Sequence, residues 1–159
     1  HLIERGCKKV AHITGSPELQ LQANRRDEAF VDVCRSHNIE PIVFSTSELD
    51  FSNLDYYRDI EQLLTQHAVD GLFLGNDIMA AQAIQIAAKL QVKVPDQLKI
   101  VGFDDIPLAS LTTPSLTTIR QPTEEIGKYA VEVIINQLSG VVVPTQIILP
   151  VTLVQRQTT

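Results

Sequence analysis

The sequence predicts an α/β protein built on a doubly wound parallel sheet, because short apolar runs alternate with longer amphipathic stretches. The continuous apolar run at residues 71–74 is typical of a strand that is buried on both faces of a parallel sheet. Strands that alternate with helices of about this length form right-handed β-α-β units. We therefore expect one open sheet with helices on both of its faces.

The first third of the chain predicts a strand, a helix and a second strand. Residues 10–14 form a short apolar strand, which Gly-Ser-Pro at residues 15–17 ends. A helix is expected from about residue 19 to 37, and residues 41–44 predict the next strand. The apolar face of this helix carries Phe30, Val33 and Cys34.

The middle of the chain repeats the same alternation. A helix is predicted at about residues 54–66, followed by the strand at 71–74 and a helix at about 77–90. The last of these helices has alanines on one side and glutamines on the other, a clear helical period. Its small residues would allow it to pack close to the sheet.

The last third begins with a strand at residues 98–102, which follows the chain break at Pro95. We expect a loop at residues 103–115 and a strand at 116–120 that is rich in β-branched residues. A helix follows Pro122, with Thr123 as its predicted cap, and it ends at Gly140. Its predicted apolar face consists of Ile126, Tyr129, Ala130, Val133, Ile134 and Leu138. Two late strands are predicted at residues 147–149 and 151–154.

Composition excludes several classes of protein. The 159 residues are 44% hydrophobic and 20% charged, as in ordinary globular domains, and no apolar run approaches the roughly 20 residues of a membrane helix. The net charge is −6 and no basic stripe is present, so we do not expect this segment to bind DNA directly. The first residues lack the basic start and apolar centre of a secretory signal, and we expect a cytoplasmic protein.

The two cysteines, Cys7 and Cys34, do not form a metal-binding pattern. Two buried thiols in a reducing cytoplasm are the expected state, and a structural disulfide is the alternative. The four histidines also lack ligand spacing, and none is assigned to a site. We predict no metal and no cofactor.

Two turns bring short polar side chains to the carboxyl edge of the sheet, where open α/β sheets bind ligands. Asn76-Asp77 follows one strand and Asp104-Asp105 follows another. Amide and carboxylate groups suit a ligand with many hydroxyls. The alternatives are a helix cap at residues 76–77, and at 104–105 a solvated turn, a metal site or an acid/base pair. Because adjacent strand residues point to opposite sides, a shared role of the two acids is not favoured.

Arg25-Arg26 and Phe51 complete the candidate residues. Two arginines in a helix are usually solvated, and a phenylalanine in a loop is often merely exposed, but an aromatic ring can also stack on a sugar. The sequence contains no G-x-S-x-G elbow, Walker loop or G-x-G-x-x-G turn. It therefore predicts no catalytic residue and no enzyme.

Taken together, these motifs resemble the effector-binding part of the LacI/GalR family of transcription repressors. Five stretches match in order, and together they cover essentially the whole chain: HLIERGCKKVAHITG, NRRDEAF, LFLGNDIMAAQAI, VPDQLKIVGFDDIPLASLTTPSLTTIRQP and LPVTLVQRQTT. The chain departs from the family pattern at Ala29, where the family usually has glycine.

The resemblance implies a fold like that of periplasmic sugar-binding proteins, with the effector held in a cleft between two α/β subdomains. Residues 1–120 would form the C-terminal subdomain, residues 121–149 a crossover packed on a mostly absent N-terminal subdomain, and residues 150–159 a closing strand. The DNA-binding headpiece, a helix-turn-helix, is not in this chain. The resemblance also implies a homodimer, operator DNA as the headpiece's partner, and a small carbohydrate or sugar phosphate as the effector.

The resemblance also implies which residues act. Arg26 corresponds to an effector-binding arginine, Asn76 and Asp104 to polar ligands at the strand ends, and Gln121 to a contact at the crossover. Phe51 falls where the family often has a stacking aromatic residue, in a loop of variable length. Leu108 and Leu111 correspond to a region of the dimer interface.

Two other classes remain as alternatives. A solute-binding protein that feeds a transporter would share the cleft but would need an export signal. A sugar-processing enzyme would use Asp104 or Asp105, and its activity would disappear in an Asp104→Asn variant.

Overall fold

The computed structural model describes residues 1–14, 21–45 and 57–159, and its centre is a six-stranded sheet with the order β2-β1-β3-β4-β5-β6. The first five strands are parallel, and β6 pairs antiparallel with β5, with Thr118 opposite Val154. The strands are β1 Val10–Thr14, β2 Ile42–Ser45, β3 Gly71–Leu74, β4 Lys99–Asp104, β5 Thr117–Arg120 and β6 Thr152–Val154. The predicted α/β class and parallel sheet are confirmed.

The four predicted helices are present with slightly different ends, and a short fifth helix was not predicted. The helices are α1 Leu21–Ser36, α2 Tyr57–Thr65, α3 Asp77–Lys89, α4 Leu108–Leu111 and α5 Thr123–Leu138. Helix α4 is a single turn within the expected loop. Two predictions are wrong: residues 147–149 form no strand, and Thr123 does not cap α5, which begins after Pro122 without a side-chain cap.

Two hydrophobic clusters cover the two faces of the sheet, as a doubly wound fold requires. One cluster joins the sheet to α2 and α3 and includes Leu72, Ile60 and Met79. The other contains Val10 of β1 and Cys34 of α1, on the opposite face. Because successive strand residues point to opposite faces, strands β1, β3 and β4 each contribute side chains to both clusters.

Cys7 and Cys34 are free and buried, as expected. Burial raises the pKa of both thiols, and for Cys7 the carboxylate of Asp70 raises it further. Both side chains therefore pack as small apolar groups.

The strand order creates a crevice at the carboxyl edge of the sheet. Strand β1 pairs with β2 on one side and with β3 on the other, so the chain leaves the ends of β1 and β3 in opposite directions. This reversal is the topological switch point where α/β sheets bind ligands. The side chains after β3 and β4 lie next to it.

Helix α5 differs from the other long helices because none of its residues is buried. Ile134 is 56% exposed and Leu138 is 84% exposed, although both belong to the predicted apolar face. Within residues 1–14, 21–45 and 57–159, no helix is both long and apolar enough to cross a membrane.

Candidate functional site

An open depression of about 1360 Å³ lies at the carboxyl edge of the sheet, between the ends of β3 and β4 and helix α5. Four of the predicted site residues line it: Arg26, Asn76, Asp104 and Gln121. The structure thus brings together side chains from α1, the turn after β3, the end of β4 and the start of the crossover. Phe51, the fifth candidate, lies outside the described residues.

Arg26 is held by two contacts at the edge of the sheet. Its Nη1 donates a hydrogen bond of 2.8 Å to the carbonyl oxygen of Gly75. Its guanidinium group lies 4.5 Å from the centre of the Phe103 ring, a cation–π contact. These contacts use one face and one N–H group of the guanidinium, so its other N–H donors can serve a ligand in the depression.

Asn76 caps helix α3, which was the alternative considered for this turn. Its Oδ1 accepts a hydrogen bond of 2.9 Å from the backbone N–H of Met79. The cap orients the amide plane, and the amide nitrogen is left as a donor on a side chain that lines the depression. Capping and ligand binding are therefore compatible roles for this residue.

Asp104 accepts a short hydrogen bond of 2.6 Å from Nε2 of Gln121. Its backbone has a φ of +112°, and Asp105 follows with a φ of +56°. Conformations of this kind cost on the order of 1–3 kcal/mol per residue and persist only where neighbouring contacts hold them. The bond from Gln121 is one such contact, and it fixes an oxygen-rich group at the mouth of the crevice.

Asp105 points away from its neighbour and has a structural role. Its carboxylate accepts hydrogen bonds of 2.6 Å from both Arg120 and Arg156. Burial alone would raise the pKa of Asp105, but the bonds and charges of the two arginines lower it below its ordinary value. The two adjacent acids thus have separate partners, which argues against a shared metal or acid/base role.

Asp77 lies fully buried beneath the site and ties three elements together. Its Oδ1 accepts a hydrogen bond of 2.5 Å from Thr118 on β5, and its Oδ2 accepts one of 2.9 Å from the backbone N–H of Ile106. Burial raises the pKa of Asp77, while these two bonds act in the opposite direction. Because Asp77 follows Asn76 directly, it fixes the start of α3 relative to the loop after β4.

Sequence reasoning missed two aromatic residues that also line the depression, namely Phe103 and Tyr129. Arg25, which was named together with Arg26 but given no binding role, lines it as well. Phe103 carried a signal, since it immediately precedes Asp104, but it was placed in the predicted loop at residues 103–115 and given no role. Tyr129 was assigned to an apolar helix face. Within the described parts of the chain, no group of three or more His, Cys, Asp or Glu residues is placed to hold a metal ion.

Comparison with known proteins identifies relatives along the whole chain. A family model described as "periplasmic binding protein-like domain" matches residues 1–159. The ribose operon repressor of Halalkalibacterium halodurans is 37% identical over 161 residues, which cover all of this chain and 47% of the repressor. The HTH-type transcriptional repressor PurR of Edwardsiella ictaluri is 31% identical over 141 residues, covering 88% of this chain and 41% of PurR.

Solved structures of transcription regulators are also similar to this chain. A periplasmic binding protein/LacI transcriptional regulator from Alkaliphilus metalliredigens, complexed with D-xylulofuranose, matches with a TM-score of 0.86 and 32% identity, over all of this chain and 59% of that one. The Lac repressor bound to ONPG in the repressed state matches with a TM-score of 0.89 and 28% identity, over all of this chain and 48% of the repressor.

These comparisons confirm the resemblance to LacI/GalR repressors and the periplasmic-binding-protein-like fold. The chain spans about half the length of the curated relatives it matches. Those relatives are repressors of transcription by name.

Proposed function

This chain belongs to the periplasmic binding protein-like domain family, and on that basis we propose that it is the effector-sensing part of a LacI/GalR-type repressor. In this proposal a small carbohydrate binds in the depression and controls, through a separate headpiece, how tightly the protein binds operator DNA. The protein is a regulator and not an enzyme. The observation that carries the proposal is the convergence of Arg26, Asn76, Asp104 and Gln121 on one depression.

The chemistry of this depression suits a sugar. Arg26 and Asn76 offer N–H donors, and Asp104 offers carboxylate oxygens that accept from hydroxyl groups. Phe103 and Tyr129 add apolar surface against which the C–H face of a sugar ring can pack. In the proposal Phe51 adds a stacking ring from its loop. The depression therefore combines polar donors and acceptors with apolar surface, as recognition of a polyhydroxylated ring requires.

The names of the relatives indicate which effectors to test first. One is a repressor of a ribose operon, and a structural neighbour was solved with D-xylulofuranose, also a five-carbon sugar. We therefore propose a pentose, free or phosphorylated, as the effector class. The PurR relatives make a purine the competing choice, and Asp104 with Asn76 could also bind the edge of a base.

The exposed helix α5 supports the proposed domain organisation. Residues 1–120 would form the C-terminal subdomain, residues 121–149 the crossover to the N-terminal subdomain, and residues 150–159 the closing strand. Exposed apolar residues are concentrated in the crossover, where Val142 is 95% exposed and Ile148 is 80% exposed. A contiguous apolar surface of this kind is typical of an interface, and the first subdomain would cover it and close the other side of the cleft.

Helix α4 is the proposed contact between two copies of the chain. Leu108 is 37% exposed and Leu111 is 76% exposed, while Ala109 between them is buried and fixes the helix to the body. Two exposed leucines on one helical turn suit a symmetric, isologous interface. A homodimer would join two headpieces to one operator.

The proposed mechanism is allosteric. An effector that contacts both subdomains favours one of their relative arrangements, and the dimer passes that preference to the headpieces. Coupling of this kind typically amounts to about 1–3 kcal/mol, or roughly 5-fold to 150-fold in operator affinity. Its physical basis is the difference in contacts that the effector makes in the two arrangements.

Two measurements on the full-length protein test the proposal. A thermal-shift screen of pentoses, pentose phosphates, hexoses and purines identifies the ligand, since a ligand that binds only the folded state raises the melting temperature. Fluorescence anisotropy then measures operator affinity with and without that ligand. An effector should change operator affinity at least 5-fold. Equal operator affinity with and without every ligand that binds would refute the proposal.

The alternative is a solute-binding protein that delivers a sugar to a transporter, for which the family fold is equally suitable. The sequence that precedes His1 in the full-length protein separates the two functions. A helix-turn-helix there supports the repressor, whereas an export signal supports transport.

A further inference from the structure

A histidine–aspartate pair connects helix α1 to the sheet directly beneath Arg26. His12 lies in the middle of β1 with its side chain fully buried, stacked on Phe73 of β3 at a ring distance of 4.6 Å. Asp27 is the residue after Arg26 on α1, and its Oδ1 lies 3.1 Å from Nε2 of His12. Burying a histidine against a carboxylate costs free energy of folding unless a hydrogen bond between them compensates.

The hydrogen-bond partner of Nδ1 shows which ring nitrogen of His12 carries the proton. Nδ1 of His12 lies 2.8 Å from the carbonyl oxygen of Phe73. A carbonyl only accepts, so Nδ1 carries a proton and donates to Phe73. In a neutral ring Nε2 is then an acceptor, and it faces a carboxylate oxygen, which is also an acceptor. Within the described residues neither atom has another hydrogen-bond partner.

A hydrogen bond between His12 and Asp27 therefore requires one additional proton. When the pair holds that proton, Asp27 of α1 is joined through His12 to the Phe73 carbonyl of β3. When the pair lacks it, two acceptors face each other and the link is repulsive. Among the residues that the structure describes, the charged groups that act on the ring are Asp27 and Arg26, both on α1. The neighbouring strand residues, Val43 and Phe73, do not titrate.

The end of β3 and the residue that follows it hold both neighbouring residues of α1. Arg26 donates to the carbonyl of Gly75, and Asp27 reaches the carbonyl of Phe73 through the histidine. These two anchor points are two residues apart, one on β3 and one in the turn directly after it. A change in the second anchor must therefore change how firmly α1 presents the Arg26 guanidinium to the depression.

We propose that His12 and Asp27 form a proton-binding pair that positions Arg26, so that effector binding is tighter when the pair is protonated. This inference rests on the proposed role of Arg26 in effector binding. Binding and protonation are then linked in both directions: acid strengthens binding, and the bound effector strengthens proton uptake. Burial lowers the pKa of His12 despite the carboxylate of Asp27, which puts the change on the acid side of the ordinary histidine range.

The first test observes the pair without any effector. Nuclear magnetic resonance of the full-length protein, with ¹⁵N-labelled histidine and arginine, follows the His12 ring and the Arg26 Nε–H signal from pH 5 to 8. Signals are assigned by their loss in His12→Gln and Arg26→Ala. The chemical shifts of both signals should change with pH and share one midpoint. An Arg26 signal that does not follow His12 would overturn the proposal.

Asp27→Asn is the decisive variant. Its amide can donate to Nε2 of neutral His12, which maintains the link without the additional proton, so the Arg26 signal should stop following pH. Asp32→Asn is the matched control, since it removes the same charge from an exposed position on the same helix. In the control the chemical shift of the Arg26 signal should still change with pH. If the Arg26 signal depends on pH in the same way in Asp27→Asn and Asp32→Asn, its pH dependence does not come from the His12–Asp27 pair. The pair then does not position Arg26.

The second test measures binding of D-ribose by calorimetry from pH 5.5 to 8. Uptake of one proton changes affinity by at most about tenfold per pH unit. Wild type and Asp32→Asn should bind more tightly as the pH falls, and Asp27→Asn should bind equally at every pH. A flat wild-type profile refutes the linkage. If ribose does not bind at any pH, the proposed pentose effector fails, and the resonance experiment still decides the role of the pair.

Discussion

Gly102 is the position where the structure makes the sharpest prediction about how the site is built. It lies on β4, two residues before Asp104, directly against the buried Asp77 carboxylate. A Cβ atom at this position would overlap with Oδ1 of Asp77 and would lie 3.0 Å from Cδ2 of Leu116. Neither neighbour can move freely, because Leu116 is in the core and Asp77 holds Thr118 and Ile106 by hydrogen bonds.

The loss of folding stability expected for Gly102→Ala can be estimated from the contacts that the added methyl group would displace. Hydrogen bonds to charged groups contribute about 1.5–3 kcal/mol each, and overpacking a core costs about 1–3 kcal/mol. Loss of one bond with partial relaxation gives a destabilisation of about 2–4 kcal/mol. Because Asp77 fixes the start of α3 beside Asn76, effector affinity should fall as well.

Gly127→Ala is the matched control. Gly127 lies in the interior of α5, and an added Cβ meets no atom of the described residues within 4 Å apart from the adjoining backbone of its own helix. The same chemical change should here stabilise the helix by about 0.5–1 kcal/mol. The assay is urea unfolding of the full-length protein, followed by circular dichroism, for wild type and both variants. The reasoning is refuted if Gly102→Ala unfolds within about 0.5 kcal/mol of wild type.

Two further predictions concern the surroundings of the site. Asp105→Asn removes two charge-assisted hydrogen bonds and should cost about 2–3 kcal/mol at neutral pH. Because the pKa of Asp105 is lowered on folding, its stabilisation is complete above the ordinary aspartate value of 3.8 and is lost as the pH falls below that value. Stability measured from pH 6 to 2.5 should therefore converge for wild type and variant, and a constant difference would contradict this. Leu111→Glu should dissociate the proposed dimer in analytical ultracentrifugation while changing stability by less than about 0.5 kcal/mol; an unchanged sedimentation coefficient would exclude α4 as the interface.

Most of the fold was predictable because its signals are local. The apolar run of β3 is buried on both faces, and the alanine-rich side of α3 packs on the sheet as its period indicates. The convergence of Asn76 and Asp104 also followed from a general rule, since the carboxyl ends of parallel strands lie at one edge. Capping by Asn76 was one of the two roles considered for its turn. The bond from Gln121 to Asp104 did not follow from the sequence, because it depends on backbone geometry.

The failed predictions depend on long-range contacts. Residues 147–149 are apolar and two of them are β-branched isoleucines, which favours a strand, but β6 occupies the edge of β5 and the run pairs with no described strand. The periodicity of α5 predicted a buried face, and the described residues leave that face exposed. His12 was assigned no site role because the four histidines lack ligand spacing. The proposed pair had no local signal, since Asp27 is 15 residues away in sequence and meets His12 only through helix–sheet packing.

The central claim is that this depression binds the effector, and calorimetry with D-ribose tests it most directly. Full-length wild type is compared with Arg26→Ala and Asp104→Ala, and with the exposed controls Arg35→Ala and Asp96→Ala. Loss of a charge-assisted hydrogen bond should weaken binding by roughly 10-fold to 100-fold in the first two variants and leave the controls unchanged. Wild-type affinity in Arg26→Ala and Asp104→Ala would place the effector elsewhere and contradict the account.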